Sequence, residues 1–286
     1  MADETHSGAS SNVPAIEVRD LSIGYGKRTV LQHLDFRIEP GQIVTILGGS
    51  GCGKSTLLKH IIGLYAPLNG DILINGRSIV RAGEEEKRSI MSEFGVAYQG
   101  GALFRSLTLA ENIALPMVEL TTWSRKEIRQ RVSEKLALVH LDGYESYMPS
   151  DLSGGMIKRA AFARALALDP KLLFFDEPSA GLDPLTSDML DNVILEIREK
   201  TSATIMMVTH ELPSIFRVSD RVIMLSAETK GIVDDGSPAY LRDHGATEYV
   251  RSFLSRGGTF QSRSTEPGAP GGDTAPGIIP QKVHDS

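Results

Sequence analysis

Three short segments in the first third of the chain have the pattern of β-strands. They cover residues 16–23, 34–38 and 71–74. Apolar residues recur between polar ones along the first two segments, and Asn-Gly pairs flank the third. These patterns and turn signals predict a strand in each segment.

Five later segments are continuously apolar, which is typical of strands buried on both faces. They cover residues 43–47, 94–98, 172–175, 204–208 and 222–225. Helical stretches at 184–200 and 212–219 separate the last three of them. Alternation of strands and helices predicts a mostly parallel sheet that helices cover. Residues 230–235 are a candidate edge strand, and residues 237–255 are candidates for short helices.

No strand is predicted between residues 107 and 168. Apolar residues recur there at the spacing of a buried helix face. They are Ile128, Val132, Leu136 and Val139 in one set, and Ile157, Ala161, Ala165 and Leu168 in another. We expect an α-helical insertion at about residues 105–168, within one α/β domain that spans residues 13–256.

The two ends of the chain differ in composition from this domain. Residues 1–12 are small and polar, and residues 257–286 are rich in Gly, Pro, Ser and Thr. Neither segment has the apolar content to form a core, so both are predicted to be disordered.

Charge and composition exclude several function classes. The net charge of −6 and the pI of about 5.7 argue against nucleic acid as a partner, because nucleic-acid-binding domains are typically basic. No apolar segment approaches the ~18 residues of a membrane span. The single cysteine, Cys52, suits a reducing compartment. We expect a cytoplasmic chain whose membrane role comes through a partner.

A glycine-rich segment follows the strand predicted at 43–47 and precedes an apolar helical segment. Its sequence is Gly48-Gly49-Ser50-Gly51-Cys52-Gly53-Lys54-Ser55, followed by Thr56. Strand, glycine-rich turn and helix are the setting in which G-x-x-x-x-G-K-[ST] forms a phosphate loop. Backbone N–H groups and the helix N-terminus would bind phosphate. We expect Lys54 to bind the β- and γ-phosphates and Ser55 to bind Mg²⁺.

Cys52 lies within this loop, at the start of the predicted helix. Helix N-termini lower the pKa of a thiol, so we expect an accessible and reactive Cys52 that bound nucleotide protects. A buried thiol is the alternative, because free cysteine is among the most buried residue types.

Two acidic residues end the apolar strand at 172–175. A phosphate-loop enzyme needs a carboxylate at a neighbouring strand end to hold Mg²⁺, and Asp176 meets that need. Glu177 is placed to act on the attacking water as a general base. Acidic residues are also common at strand ends that face solvent, where they have no catalytic role. Both assignments therefore depend on the phosphate loop upstream.

Ser153-Gly154-Gly155 opens a predicted helix and is a second candidate anion site, because a helix N-terminus presents free backbone donors. A chain with two phosphate-binding ends suggests a head-to-tail homodimer. Each phosphate loop would then face Ser153-Gly154-Gly155 of the other copy, with two nucleotides between the chains.

The order of these motifs resembles the nucleotide-binding subunit of ABC transporters, over about residues 14–240. The resemblance implies a P-loop (RecA-like) α/β domain with an antiparallel β edge and an inserted α-helical subdomain. It also implies that residues 48–55 are the Walker A motif, 152–156 the signature and 172–177 the Walker B motif. Residues 179–183 are similar to the D-loop.

The same resemblance implies roles for single residues, with ATP and Mg²⁺ as the cofactors. Gln99 is similar to the Q-loop glutamine, His210 to the switch histidine, and Tyr25 to the aromatic residue that stacks on adenine. The implied catalytic residues are Glu177, His210 and Gln99, and the implied Mg²⁺ ligands are Ser55, Gln99 and Asp176. The implied ATP-binding residues are Tyr25, Gly48, Gly49, Ser50, Gly51, Cys52, Gly53, Lys54, Ser55, Thr56, Ser153, Gly154, Gly155 and Asp183.

Two features narrow the resemblance further. The signature ends in Met156, where most ABC proteins have glutamine, and Gly101-Ala102-Leu103-Phe104 follows shortly after Gln99. Together they resemble the ATPases of Mla/MCE-type systems, which move phospholipids between membranes of the bacterial envelope. The implied partners are a second copy, integral-membrane permease subunits, an MCE-domain protein and a small accessory subunit. The implied location is the cytoplasmic face of the inner membrane, with the permease docked near the segment after Gln99.

Several other functional classes of protein are alternatives to this interpretation, and the sequence favours them unequally. The main alternative is the ATPase subunit of an amino-acid or other small-solute importer. An ABC ATPase of DNA repair would carry a long coiled coil between Ser55 and Ser153, where this chain has a short segment. A ribosome-acting ABC protein would usually carry two cassettes and basic charge. Ser153-Gly154-Gly155 and His210 disfavour a P-loop kinase or GTPase.

Overall fold

A computed structural model of the chain describes residues 13–255. Residues 1–12 and 257–286, both predicted to be disordered, lie outside the described residues. The strands of the described part are β1 (Ile16–Tyr25), β2 (Arg28–Ile38), β3 (Ile43–Gly48), β4 (Asn69–Ile74), β5 (Arg77–Ser78), β6 (Phe94–Ala97), β7 (Leu172–Asp176), β8 (Thr204–Val208), β9 (Arg221–Ser226) and β10 (Gly231–Gly236).

The α-helices of the same part are α1 (Lys54–Ile61), α2 (Glu84–Met91), α3 (Leu109–Leu120), α4 (Arg125–Leu138), α5 (Gly154–Ala165), α6 (Pro184–Thr201), α7 (Leu212–Val218), α8 (Pro238–His244) and α9 (Glu248–Ser255). None of the helices within residues 13–255 combines the length and hydropathy that a membrane span requires.

A six-stranded sheet, ordered β10-β9-β3-β8-β7-β6, is the centre of the fold. Every neighbouring pair in it is parallel except β10 with β9. All residues of β3 and β8 are buried, because helices or the second sheet cover both faces. The predicted parallel sheet and the predicted edge strand are therefore confirmed.

The second sheet is antiparallel, with four strands in the order β2-β1-β4-β5. Its inner face packs with β3, β8 and α1 in one apolar cluster that includes Ile23, Leu31, Ile46 and Leu57. The antiparallel edge that the resemblance to ABC transporter subunits implies is confirmed. β5 is an addition, since a strand of two residues gives no periodic signal.

The helices α3, α4 and α5 all lie between β6 and β7, and the structure shows no strand in this interval. Ile128, Val132, Leu136 and Val139 are buried, as the helical spacing predicted. In the second predicted set Ala161 and Ala165 are buried. The other two members of that set, Ile157 and Leu168, are only half-buried. The expected helical insertion is therefore present, and its apolar faces pack against β7 and α6.

Side-chain caps fix the starts of α3 and α4. The Glu111 N–H donates to the Thr108 hydroxyl over 3.2 Å, and the Thr108 N–H donates to the Glu111 carboxylate over 2.7 Å. Ser124 and Glu127 form the same reciprocal pair at the next helix. Each pair satisfies two backbone N–H groups that a helix start otherwise leaves without partners.

Asp191 is a buried carboxylic acid between α6 and α7. It is 2% exposed, and its Oδ2 has no hydrogen-bond partner among the described residues. Burial raises the pKa of Asp191 to about 6, against the opposing effects of a hydrogen bond from Ser214 and the charge of Arg217. Nearby Asp188 and Glu211 raise this pKa further.

We expect Asp191→Asn to stabilise the fold at alkaline pH. The carboxyl of Asp191 holds its proton more tightly in the native state than in the unfolded state. Ionisation of Asp191 above about pH 6 therefore destabilises the native state, and protonation below that pH removes this destabilisation. The gain in unfolding free energy should be about 1–2 kcal/mol larger at pH 8 than at pH 5. Urea unfolding of the wild type and the variant at both pH values measures this gain. A stability difference between the two proteins that is equal at pH 5 and pH 8 would contradict the raised pKa of Asp191.

Candidate active site

The phosphate loop connects the end of β3 to the start of α1. At two positions of this loop only glycine fits. A Cβ atom at Gly48 would lie 2.5 Å from the Leu225 carbonyl oxygen, and Gly53 has a φ of 106°. Gly53 caps α1 without a side-chain hydrogen bond, and the first turn of α1 contains no acid. No acidic side chain of the first turn therefore competes with an anion for the N–H groups at the start of α1.

Lys54 lies over this loop. Its Nζ donates to the Gly48 carbonyl over 2.8 Å and to the Gly49 carbonyl over 3.2 Å. The amine is thus held beside the backbone donors that would bind phosphate, and phosphate oxygens could replace the two carbonyls as acceptors.

Ser55 and Asp176 meet at the end of β7, where the Ser55 hydroxyl donates to Asp176 Oδ1 over 3.4 Å. Burial raises the pKa of Asp176, and the neighbouring charge of Glu177 raises it further. A cation would relieve both effects, so these oxygen atoms fit Mg²⁺. No cluster of three or more His, Cys, Asp or Glu suited to a metal occurs within residues 13–255. Mg²⁺ would take its other ligands from phosphate and water, as it commonly does.

Glu177 has the left-handed backbone conformation, with φ at 48°. Such a conformation costs a non-glycine residue roughly 1–3 kcal/mol. It is held by the hydrogen bond that the Glu177 N–H donates to the Val208 carbonyl over 2.8 Å. This turn brings the carboxylate to His210, whose Nδ1 lies 3.0 Å from each of the two carboxylate oxygens. The two candidate catalytic residues therefore form one pair.

An open cleft of about 1030 Å³ contains most of the predicted site. Its lining includes all residues from Gly48 to Thr56, together with Gln99, Glu177 and His210. Tyr25 also lines the cleft, where its ring is half exposed and makes an edge contact with Tyr65, with ring centroids 5.5 Å apart. A flat, partly exposed ring is suited to stacking on a base.

Four predicted ATP-binding residues are outside this cleft. Ser153 caps α5 by accepting a hydrogen bond from the Met156 N–H over 3.3 Å, and Asp183 caps α6 by accepting one from the Thr186 N–H over 3.1 Å. A Cβ at Gly154 would lie 3.4 Å from Leu182, and one at Gly155 would contact Thr186. The two helix starts thus lie together, and a single chain does not bring them to its own phosphate loop.

The expectation of an accessible and reactive Cys52 is wrong. The side chain is 2% exposed and packs in the apolar cluster beneath the loop, with Leu57 and Ile223 among its members. Burial raises the pKa of the Cys52 thiol above its usual value, and the charge of Lys54 only partly opposes this. Backbone N–H groups at the helix start also lower this pKa, but burial of the sulfur outweighs them.

Comparison with protein-family models matches residues 31–180 to the ABC transporter family. The chain is also 38% identical over 231 residues to MlaF of Haemophilus influenzae, an intermembrane phospholipid transport system ATP-binding protein, covering 81% of this chain and 87% of that protein. The chain belongs to the ABC transporter family.

One further sequence relative and one solved structure are similar to this chain. The chain is 43% identical over 211 residues to the probable ribonucleotide transport ATP-binding protein mkl of Mycobacterium leprae, covering 74% of this chain but only 61% of that protein. A dimeric ATP-binding cassette, MJ0796, bound to ADP and Pi in a post-hydrolysis state, superposes with a TM-score of 0.70 at 27% identity, covering 78% of this chain and 98% of that one. The chain therefore carries an ATP-binding cassette of the ABC transporter family.

Lys158 is a functional candidate that the sequence analysis did not assign. It lies on α5, in the helical insertion of the ABC cassette, and is 7% exposed. Its Nζ donates to the Gln99 carbonyl and, over 3.1 Å, to the Glu177 carbonyl. Burial lowers the pKa of Lys158, and the charges of Glu177 and Asp176 oppose that effect. The sequence contained one signal for this role, a lysine within an alanine-rich helix. A lysine that such a helix buries must find hydrogen-bond acceptors for its amine.

We expect Glu177→Gln to keep ATP binding and to lose hydrolysis by a factor of roughly 10²–10⁴, because the amide cannot accept the proton of the attacking water. The phosphate-binding groups remain, so Mg²⁺-ATP should convert this variant from monomer to dimer in sedimentation velocity. Hydrolysis at the wild-type rate would remove Glu177 from the mechanism, and a monomer at saturating Mg²⁺-ATP would contradict the head-to-tail arrangement.

Proposed function

We propose that this chain hydrolyses Mg²⁺-ATP as one half of a homodimer that powers a phospholipid transporter of the bacterial envelope. The observation that carries the proposal is the match to MlaF, which extends over 87% of that relative, whereas the match to mkl covers 61% of its length. The resemblance thus extends over most of a protein named for phospholipid transport.

The geometry of the cleft supports the roles proposed for its residues. Lys54 and the start of α1 bind the phosphates. Ser55, Asp176 and Gln99 would hold Mg²⁺, which supplies positive charge to the phosphate oxygens. Glu177 would accept the proton of the attacking water, while His210 fixes the carboxylate by the contact of 3.0 Å and would bind the γ-phosphate.

The second copy completes the site in this proposal. Ser153 and Asp183 cap two adjacent helices, and neither residue lines the cleft that holds the phosphate loop of its own chain. In a head-to-tail pair, the start of α5 in one copy would bind the γ-phosphate held by the other. ATP would then close the pair, and hydrolysis would open it.

A groove of about 180 Å³ between the sheet and the helical insertion supports the proposed docking of a permease. Phe94, Pro116, Leu120 and Leu168 line it, and Leu120 is 62% exposed. We place the permease in this groove and along the segment after Gln99, on the cytoplasmic face of the inner membrane. An MCE-domain protein and a small accessory subunit complete the proposed assembly.

A small-solute importer is the second candidate, and the 43% identity to mkl, named for ribonucleotide transport, favours it. The two proposals agree on ATP hydrolysis and differ in the permease and its cargo. Isolation of the chain with its native membrane partners therefore separates them more directly than any assay of the ATPase alone.

We expect the isolated complex, reconstituted in vesicles with a fluorescent phospholipid, to transfer the lipid to acceptor vesicles when ATP is added. The complex that contains Glu177→Gln is the control and should transfer none. Co-purification of a solute-binding protein, together with ATP hydrolysis but no lipid transfer, would overturn phospholipid transport and leave the ATPase assignment intact.

Leu120→Asp should weaken assembly with the membrane partners at least tenfold, because a charge in the apolar groove would have to be desolvated on docking. Val118→Asp is the matched control, since Val118 is 58% exposed on the same helix and does not line the groove. Co-purification yield measures assembly, and ATP affinity of the separate chain should be unchanged in both variants. Equal loss in both would contradict the proposed docking site.

A further inference from the structure

The last described helix, α9, contacts the phosphate loop although no nucleotide-binding motif includes it. Its buried residues Val250, Phe253 and Leu254 form an apolar cluster with Leu47. Leu47 is the residue before Gly48 in β3, so α9 packs directly beneath the strand that leads into the loop.

The same cluster contains Leu212 and Ile215, from the first turn of α7. Leu212 is two residues after His210. The phosphate loop and the segment that carries His210 therefore share one apolar support, which α9 completes.

Tyr249 extends from α9 to the loop itself. A Cβ atom built on Gly49 would lie 3.4 Å from the Tyr249 hydroxyl oxygen. Burial raises the pKa of Tyr249, while a hydrogen bond with the Gly49 backbone lowers it. A backbone group that favours the phenolate must be a donor, so the Gly49 N–H is directed at the hydroxyl oxygen. The phenol stays neutral at physiological pH.

Gly49 is thus held from two sides. Lys54 Nζ donates to its carbonyl over 3.2 Å, and Tyr249 accepts from its N–H. The Lys54 contact has to be exchanged when the amine turns to phosphate. The Tyr249 contact involves no charged group and does not use the Lys54 amine, so we expect it to persist through nucleotide binding.

We propose that Tyr249 is a positioning residue for ATP binding, whose hydroxyl fixes the first turn of the phosphate loop on α9. Without this contact the loop would have to be ordered by the nucleotide itself, at a cost in affinity. Because Tyr249 touches neither the γ-phosphate nor the attacking water, the rate of hydrolysis in the bound state should not depend on it.

Tyr249→Phe tests the proposal in the full-length chain, with Tyr240→Phe on α8 as the matched control. Tyr240 is 58% exposed and stacks on His244, with no contact to the cleft. We expect Tyr249→Phe to raise KM and the Kd for Mg²⁺-ATP about fivefold, the effect of one ordinary hydrogen bond, with kcat within twofold of wild type. Tyr240→Phe should change none of these values.

Hydrogen exchange supplies a readout of the loop itself. Without nucleotide, peptides covering residues 48–57 should exchange faster in Tyr249→Phe than in the wild type, while peptides from β7 and β8 should exchange at equal rates. An unchanged KM, a fall in kcat with KM unchanged, or equal exchange at residues 48–57 would each overturn the positioning role. General destabilisation would raise exchange in β7 and β8 as well, and that result would also overturn it.

Discussion

The parallel register of three neighbouring strands is the constraint on which the candidate active site depends. Val208 of β8 pairs with Ile46 of β3 on one side and with Asp176 of β7 on the other. The three strands therefore end at one edge of the sheet, which is where ligands bind in open α/β sheets. A slip of one residue in any strand would turn its side chains to the opposite face and move the end of the strand away from the cleft.

Two buried titratable residues lie where the helices of the fold pack against their neighbours. The Lys158 amine joins the carbonyls of Gln99 and Glu177, which follow β6 and β7, to a helix of the insertion. Asp191 lies where the helix that follows Asp183 packs against the helix that follows His210. Burying a charge is costly unless it is well paired, so both residues make the helix positions specific at the expense of stability.

Local signals explain which parts of the structure could be predicted from the sequence. Continuous apolar runs predicted β3, β7 and β8, and the glycine-rich loop predicted the start of α1, because these features depend on neighbouring residues alone. The helix α2 gave no signal, since Ile90 is its one buried residue. The burial of Cys52, the contacts of Lys158 and the reach of Tyr249 depend on segments far apart in the chain, which periodicity cannot show.

The strand order also sets when the phosphate loop can form during synthesis. Both neighbours of β3 come from the C-terminal half of the protein, since β8 begins at Thr204 and β9 at Arg221. A nascent chain that ends before Thr204 therefore carries a largely apolar strand with both edges unpaired, a state prone to aggregation. The first motif of the chain to leave the ribosome is thus among the last to reach its native contacts.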